Sequence, residues 1–339
     1  MSVFDHLGRL LSPGLDWIQI EVTSFCSAGC VYCPHTIFRD NWVSRHLSIE
    51  TFEKILPFVS RTKLLFLQGW GEPFMNPDFF AMAEMAKHEG RRVGVTTNGM
   101  MFDDDIIFRL VDQQIDIVAF SLAGADKAND AFRRGTSLEA VLNAIRSLHR
   151  EKEASKSSRP VIHIAYLVLR SAIDSLEKLP QLLKGTGVAQ VVISTLDLVP
   201  TKELEGEVLA PRTMDEYETL RTRLDAVASE ARSLNIDMHY QIRCPVGRRA
   251  VCTENVLRAL FISAAGEVSP CVFTNLPATD AAHVIDGIER PSPRLTFGNI
   301  NVSSLSRIWR EKAYAAFRES HVSDRPAAPC RDCPKLFIG

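Results

Sequence analysis

The sequence lacks several features that mark common classes of protein. It has no basic excess, because 39 lysines and arginines are balanced by 41 aspartates and glutamates, and this argues against a general nucleic-acid surface. No apolar run approaches the roughly 18 residues of a membrane span. The segment from Met1 to Pro13 lacks the apolar core of a signal peptide. We therefore expect a cytoplasmic protein that binds neither nucleic acid nor membrane.

Cysteine is also scarce, with 8 residues in a chain of 339, too few for a disulfide scaffold. The cysteines fall in two groups, so metal ligation in a reducing compartment explains them better. The first group is Cys26, Cys30 and Cys33, directly after an apolar, β-branched run. Three thiolates can hold three irons of a four-iron cluster and leave the fourth iron open. A zinc knuckle completed by His35 is the alternative interpretation.

Apolar runs and amphipathic stretches alternate along most of the chain. With 46% hydrophobic residues, the chain can bury one barrel-sized core and a smaller appendage. The alternation predicts an α/β fold of parallel units, wound into an open sheet or partial barrel. The predicted strands are Ile18–Val22, Leu64–Leu67, Val93–Thr96, Ile115–Phe120, Val161–Leu169, Val188–Ser194 and, closing the domain, Ile236–Gln241. The predicted helices are Ser48–Val59, Asp78–Glu89, Asp103–Val111, Leu138–Lys152, Ile173–Lys184 and Met214–Leu234.

Polar residues and glycines gather where these strands end. In such folds the chemistry lies in loops at the carboxyl ends of the strands, so we expect one site at this rim. In strand order, the loops carry the three cysteines, Gln68–Pro73, Thr96–Gly99, Ser121–Gly124, Arg170 and Thr195–Asp197.

The first cysteine group resembles the signature of radical S-adenosylmethionine (radical SAM) enzymes. Its spacing is C-x3-C-x2-C, and the aromatic Tyr32 stands just before the last cysteine. The resemblance implies a partial (β/α)6 barrel, with a [4Fe-4S] cluster on Cys26, Cys30 and Cys33. In that family the open iron of the cluster binds the amino and carboxylate groups of S-adenosylmethionine (SAM).

The same resemblance extends to residues that would contact SAM. Gly71, Glu72 and Pro73 resemble the family's GGEP motif, although Trp70 stands where the first motif glycine is usual. The resemblance assigns the backbone of this motif to the SAM amino group. The further SAM contacts that it implies are Tyr32, Asn98 and Ser121, with Arg133, Arg134 and Arg170 as candidates for the SAM carboxylate.

A second cysteine group occupies the C-terminal part of the chain. Cys252 and Cys271 flank Gly266 in the pattern C-x13-G-x4-C, and Cys330 and Cys333 follow. The pattern resembles the SPASM and Twitch extensions of the superfamily and implies one auxiliary [4Fe-4S] cluster on these four cysteines, as in the shorter Twitch type. A four-cysteine zinc ribbon would fit the same spacing. We expect the barrel to span residues 14–241 and the extension to span residues 242–339.

Cys244 is left over from both groups. It lies 22 positions before Gly266, outside the usual spacing of the extension. Three interpretations stay open: a buried inert thiol, a cluster ligand in place of Cys252, or a hydrogen or proton donor that faces the substrate.

The resemblance implies an enzyme that reductively cleaves SAM and removes hydrogen from a substrate. A fully ligated auxiliary cluster favours net oxidation, so we expect an oxidative maturation or cross-linking step on a peptide or protein. The alternative is dehydrogenation or cyclisation of a small molecule or cofactor precursor. A flavodoxin- or ferredoxin-type protein is the expected electron donor. A non-enzymatic electron carrier or zinc scaffold is the remaining alternative.

Overall fold

Parallel strands and helices alternate through most of the protein. The structure, a computed structural model, describes residues 14–249 and 251–337. The strands are β1 (Leu15–Ile20), β2 (Gly29–Cys30), β3 (Thr62–Leu67), β4 (Arg92–Thr97), β5 (Ile117–Leu122), β6 (Arg133–Arg134), β7 (Val161–Leu167), β8 (Val188–Ser194), β9 (Asp237–Tyr240), β10 (Ala259–Ile262), β11 (Glu267–Ser269), β12 (Ala282–Ile285), β13 (Ile288–Pro291) and β14 (Gly298–Asn299). The helices are α1 (Pro34–Ile37), α2 (Ile49–Glu53), α3 (Leu56–Val59), α4 (Phe79–His88), α5 (Asp104–Asp112), α6 (Ala128–Phe132), α7 (Leu138–Ala154), α8 (Leu179–Leu183), α9 (Met214–Ser233), α10 (Leu305–Arg310), α11 (Lys312–Val322) and α12 (Ala328–Arg331).

One ten-stranded sheet organises the fold, in the order β14-β11-β10-β1-β3-β4-β5-β7-β8-β9. Every neighbouring pair from β1 to β9 in this order is parallel, and so is the pair of β1 with β10. The sheet stays open, because β9 and β14 form its two edges. The predicted α/β class and partial barrel are confirmed, with β1, β3, β4, β5, β7 and β8 as the six barrel strands.

Helix α7 illustrates how the sequence sets its helices. The Ser137 hydroxyl accepts the Ala140 N–H at 3.3 Å and caps the first turn. Val141, Ile145 and Leu148 recur at three- and four-residue spacing and are completely buried in the main core. The amphipathic pattern thus predicted this helix correctly.

Two other predicted helices are wrong as continuous elements. The stretch Ser48–Val59 divides into α2 and α3, and Ile173–Lys184 divides into a 3-10 segment, Arg170–Lys178, and α8. Pro57 and Pro180 explain both breaks, because a proline inside a helix lacks the backbone donor and clashes with the preceding turn. Each proline instead lies in the first turn of the second helix, where neither defect matters.

The C-terminal extension continues the sheet of the barrel. Strand β10 lies beside β1, with Ile262 opposite Ile20, and β11 returns antiparallel to β10. Gly266 forms the turn between them with φ of 79°, a conformation that favours glycine. This hairpin brings the extension next to the loop that follows β1.

None of the helices in the described ranges has the length and apolar character needed to cross a membrane.

Candidate active site

The loop after β1 carries the first cysteine group. Burial raises the pKa of Cys26 to about 11 and that of Cys33 to about 12, and the neighbouring Cys30 thiol adds to both shifts. The backbone N–H groups of Ala28 and His35 oppose these shifts, because they stabilise the thiolates of Cys26 and Cys33 respectively. The three thiols therefore share one buried environment, in which ligation to iron would remove protons that burial otherwise retains.

A two-stranded ribbon fixes this loop to the segment that follows β5. Strands β2 and β6 pair antiparallel, with Cys30 opposite Arg133. The Arg133 side chain is buried and donates to the Tyr32 hydroxyl at 2.8 Å. Its Nε is also buried and has no hydrogen-bond partner within the described ranges. A buried cation beside three cysteines offsets the charge that their thiolates would bring.

The other two arginine candidates are exposed to solvent. Arg134 is exposed on β6. Arg170 is also exposed and donates to the Val208 carbonyl at 2.8 Å. Of the three arginines, Arg133 is thus the one that is buried next to the cysteines.

Gly71 packs against the backbone of the cysteine loop. A Cβ at this position would lie 2.4 Å from the Thr23 carbonyl oxygen and 2.5 Å from that of Phe25. The next residue, Glu72, donates its N–H to the same Phe25 carbonyl at 2.7 Å. Glycine is therefore required at residue 71 by the contact between two loops of the protein, and that contact joins the Gly71–Pro73 segment to the first cysteine group.

The Glu72 carboxylate points into the protein. It accepts the Thr97 hydroxyl at 2.8 Å and the Asn98 N–H at 2.7 Å, and it is 2% exposed. Burial raises its pKa to about 7. Glu72 therefore ties the end of β3 to the end of β4, next to Pro73, which begins a short 3-10 turn.

Two buried polar atoms at this rim have no partner in the part of the chain that the structure describes. They are Asn98 Nδ2, after β4, and Gln68 Oε1, after β3. Ser121 lies nearby in the sheet, on β5 opposite Ala165. Unpaired buried donors and acceptors are costly, so their presence fits a polar cofactor that would pair with them. The sequence placed Gln68 in a loop of the expected rim but did not single it out as a SAM contact.

The second cysteine group assembles from three separate stretches of the extension. Burial raises the pKa of Cys271 far above its usual range, and the thiols of Cys333, Cys330 and Cys252 raise it further. Burial likewise raises the pKa of Cys330 to about 12, with contributions from Cys333 and Cys252. The four cysteines also line one cavity, so the fold brings these thiols near one another.

Cys244 lies beside the second cysteine group. Its N–H donates to the Phe337 carbonyl at 2.6 Å, and the residue lines the same cavity as Cys252, Cys271, Cys330 and Cys333. The position is compatible with an inert thiol and with a donor to a molecule in the cavity.

Neither cysteine group has the compact geometry that coordinates a single metal ion. Across residues 14–249 and 251–337, no three His, Cys, Asp or Glu side chains converge closely enough to hold one metal ion. The ring of His35, the residue considered for a zinc knuckle, packs edge-on against Trp42 with 5.2 Å between ring centroids.

A cavity of about 980 Å³ lies between the barrel rim and the extension. Its barrel side is formed by Arg170, after β7, and by the loop that begins at Thr195, after β8. The extension side carries all four cysteines of the second group, together with Cys244 and Lys335. The second cysteine group is therefore accessible from a space large enough for a substrate.

Comparison with protein families agrees with this arrangement. Residues 20–194 match the model of the radical SAM superfamily, and residues 252–334 match that of an iron-sulfur cluster-binding domain named SPASM. The first match covers more than half of the chain.

Individual proteins with similar sequences or folds cover nearly the whole chain. A tungsten-containing aldehyde ferredoxin oxidoreductase cofactor-modifying protein from Pyrococcus furiosus is 24% identical over 94% of this chain and 87% of its own. A PqqA peptide cyclase from Granulibacter bethesdensis is 21% identical over 94% of this chain and 79% of its own. The crystal structure of Streptococcus suis SuiB bound to S-adenosylmethionine superposes with a TM-score of 0.66 at 12% identity, over 98% of this chain and 73% of SuiB.

The family match sets aside the non-enzymatic alternatives and accounts for both cysteine groups. Radical SAM enzymes use a [4Fe-4S] cluster with SAM, and the SPASM domain adds auxiliary iron-sulfur chemistry. The chain belongs to the radical SAM superfamily, as an enzyme with a SPASM domain in its C-terminal part.

Proposed function

We propose that this enzyme performs an oxidative maturation or cross-linking step on a peptide or protein. The observation that carries the proposal is the large cavity between the barrel rim and the extension, with the second cysteine group in its wall. Its volume of about 980 Å³ is at the upper end of the range for small-molecule pockets, and the auxiliary cluster on those cysteines would fill part of it.

The first cysteine group is assigned to the SAM-binding cluster. Cys26, Cys30 and Cys33 would ligate three irons, with the buried Arg133 offsetting their charge. When bound, the cluster and SAM supply a 5'-deoxyadenosyl radical that removes a hydrogen atom from the substrate. A flavodoxin- or ferredoxin-type protein in the reducing cytoplasm remains our proposed electron donor.

The strand ends beside this loop would bind and orient SAM. The unpaired Asn98 Nδ2 offers a donor, and the backbone around Gly71 lies directly against the cysteine loop. Glu72 acts indirectly, by holding Asn98 and the Gly71–Pro73 segment in register. Tyr32 and Ser121 complete the proposed set of SAM-contacting residues.

The second cysteine group is assigned to an auxiliary cluster on Cys252, Cys271, Cys330 and Cys333. With four thiolates and four irons, every iron has a protein ligand, so the substrate gains no direct coordination site. The simplest role for such a centre beside the cavity is electron transfer to or from the substrate. That role favours net oxidation over a reversible rearrangement.

The compared proteins include peptide-modifying ones. The Granulibacter relative is named a PqqA peptide cyclase, and SuiB has also been solved bound to its precursor peptide SuiA. We infer a peptide substrate for this chain from its similarity to these proteins and from the cavity.

A second candidate is modification of a small cofactor. The specific observation in its favour is the Pyrococcus relative, whose name describes a cofactor-modifying protein and whose similarity extends over 94% of this chain. A small cofactor precursor would also fit within the cavity.

Deuterium transfer distinguishes the two candidates. Cells of the source organism are grown in deuterated medium, and their extract is separated into peptide and small-metabolite fractions. Each fraction is incubated anaerobically with reconstituted enzyme, unlabelled SAM and reductant, and 5'-deoxyadenosine is analysed by mass spectrometry. We expect deuterium in 5'-deoxyadenosine from the peptide fraction.

Protease treatment of that fraction is the control, and it should abolish the transfer. Transfer that survives protease, or that comes only from small metabolites, would contradict the peptide proposal and support the cofactor candidate.

A further inference from the structure

We propose that Lys335 is a positioning residue for the auxiliary cluster: its largely buried ammonium group joins the three cysteine-bearing stretches to the barrel and raises the reduction potential of the cluster. The inference rests on the proposed ligation of this cluster by Cys252, Cys271, Cys330 and Cys333. It goes further, because it assigns a function to a residue outside every recognised motif.

Lys335 forms two ion pairs inside the molecule. Its Nζ lies 2.9 Å from Asp197 Oδ2 and 3.4 Å from Glu254 Oε1. The exposed fractions of the three side chains are 12%, 9% and 21%, respectively. Water therefore screens these charges poorly, and their effect on a neighbouring group is larger than that of surface charges.

The partners of Lys335 come from defined places next to the cysteines. Glu254 stands two residues after Cys252, and Lys335 itself stands two residues after Cys333. The ring of Phe273, two residues after Cys271, lies 5.5 Å from the Lys335 ammonium. Three cysteine segments thus converge on one cation.

Asp197 connects Lys335 to the barrel. It follows β8, and its second carboxylate oxygen accepts the Thr195 hydroxyl at 2.9 Å. The ion pair between Asp197 and Lys335 therefore connects the barrel rim to the extension across the wall of the cavity.

The charges of Lys335, Asp197 and Glu254 predict the direction in which each substitution shifts the reduction potential of the cluster. Two carboxylates and one ammonium give a net charge of minus one beside four thiolates. Reduction adds an electron to a cluster, so extra negative charge nearby lowers its reduction potential and extra positive charge raises it. Lys335→Met should therefore lower the potential, and Asp197→Asn should raise it.

The test uses the full-length chain with Cys26, Cys30 and Cys33 replaced by alanine, so that the auxiliary cluster is the only expected source of signal. Midpoint potentials are measured by electron paramagnetic resonance during reductive titration. We expect opposite shifts for Lys335→Met and Asp197→Asn. The Lys335→Met/Asp197→Asn double variant restores the net charge of minus one and should lie close to the parent.

Two further variants separate the effect of the Lys335 charge from a general effect of substitution on the protein. Lys335→Arg keeps the positive charge and should stay close to the parent. Lys312→Met removes an exposed lysine from the same extension and should leave the potential unchanged.

Shifts in the same direction for Lys335→Met and Asp197→Asn, or no shift in either, would overturn the proposal. If Lys335→Met loses its iron, the Lys335→Gln variant decides: a potential below that of the parent supports the role of Lys335, and an unchanged or higher potential refutes it. A parent background without iron would overturn the auxiliary cluster itself, and with it this inference, while leaving the deuterium test of the substrate class intact.

Discussion

Individual residues of this protein bring separate loops together at close range. Gly71 contacts the cysteine loop, and Glu21 joins two loops through one carboxylate. Glu21 Oε1 accepts the Trp70 N–H at 2.9 Å, and Oε2 accepts the Ala264 N–H at 3.1 Å. The loop that precedes Gly71 is thereby connected to the β10–β11 hairpin of the extension.

The close contact at Gly71 predicts the effect of adding a single methyl group. Gly71→Ala places a Cβ 2.4 Å from the Thr23 carbonyl oxygen, so the cysteine loop must move. We expect a loss of about 1–3 kcal/mol in the free energy of unfolding and a lower iron content. Urea unfolding and iron analysis measure both effects.

Gly206→Ala is the matched control. A Cβ at residue 206 meets no atom within 4 Å. Equal effects of the two substitutions would show that the contact between Gly71 and the cysteine loop is not the cause.

Glu21 predicts a pH dependence of stability. Burial raises its pKa from 4.5 to about 7, so the folded protein keeps this proton to higher pH than the unfolded chain does. Its contribution to stability is complete below pH 4.5 and is lost as the pH rises through 7. Relative to Glu21→Gln, the parent should therefore be more stable at pH 5 than at pH 8. We expect its unfolding free energy, measured against that of the variant, to be about 2 kcal/mol larger at pH 5.

Urea unfolding of the cluster-free proteins at the two pH values measures this difference. The exposed Glu89→Gln variant is the control for a general effect of losing a carboxylate. A difference between parent and Glu21→Gln that is equal at pH 5 and pH 8 would contradict the account.

At the scale of elements, the sequence predicted what depends on local pattern. The strands were recognised because their apolar runs are nearly continuous, and α7 because its apolar residues recur at helical spacing. The breaks at Pro57 and Pro180 were missed, although proline is itself a local signal. The pairing of β10 with β1 was beyond reach, because an apolar run does not specify its neighbour in a sheet.

Isolated polar residues of the site were hidden for the same reason, because the sequence does not show which residues the fold brings together. Cysteine spacing selected both candidate ligand groups, since spacing is visible in the chain. Glu21 and Lys335 were not selected, because their partners lie far away in the sequence: Ala264 is 243 residues from Glu21. Their importance arises only when the fold buries them together.

The arrangement of the second cysteine group predicts which thiols hold iron. In the background that lacks Cys26, Cys30 and Cys33, we expect about four irons on the extension. Adding Cys252→Ala leaves three thiolates and should remove the cluster or open one iron site. Adding Cys244→Ala should leave the iron content unchanged, because Cys244 lies before the SPASM match, which begins at Cys252.

Iron analysis and electron paramagnetic resonance of the two variants provide the measurement. Loss of the cluster with Cys244→Ala but not with Cys252→Ala would reverse the assignment.

At the scale of the whole molecule, the extension continues the open sheet beyond β1 through β10, β11 and β14. The first cysteine group follows β1, and the hairpin that leads to Cys271 lies beside it. The cavity opens between the barrel rim and the extension. The second cysteine group forms part of its wall, whereas Cys26, Cys30 and Cys33 lie outside its lining.

The central claim is that Cys26, Cys30 and Cys33 make this protein a SAM-cleaving enzyme. The most direct measurement is the formation of 5'-deoxyadenosine from SAM and reductant by the anaerobically reconstituted parent, Cys30→Ala and Cys244→Ala proteins. The account predicts product from the parent and from Cys244→Ala, and none from a soluble, folded Cys30→Ala protein. Formation of 5'-deoxyadenosine by Cys30→Ala at the parental rate would contradict it.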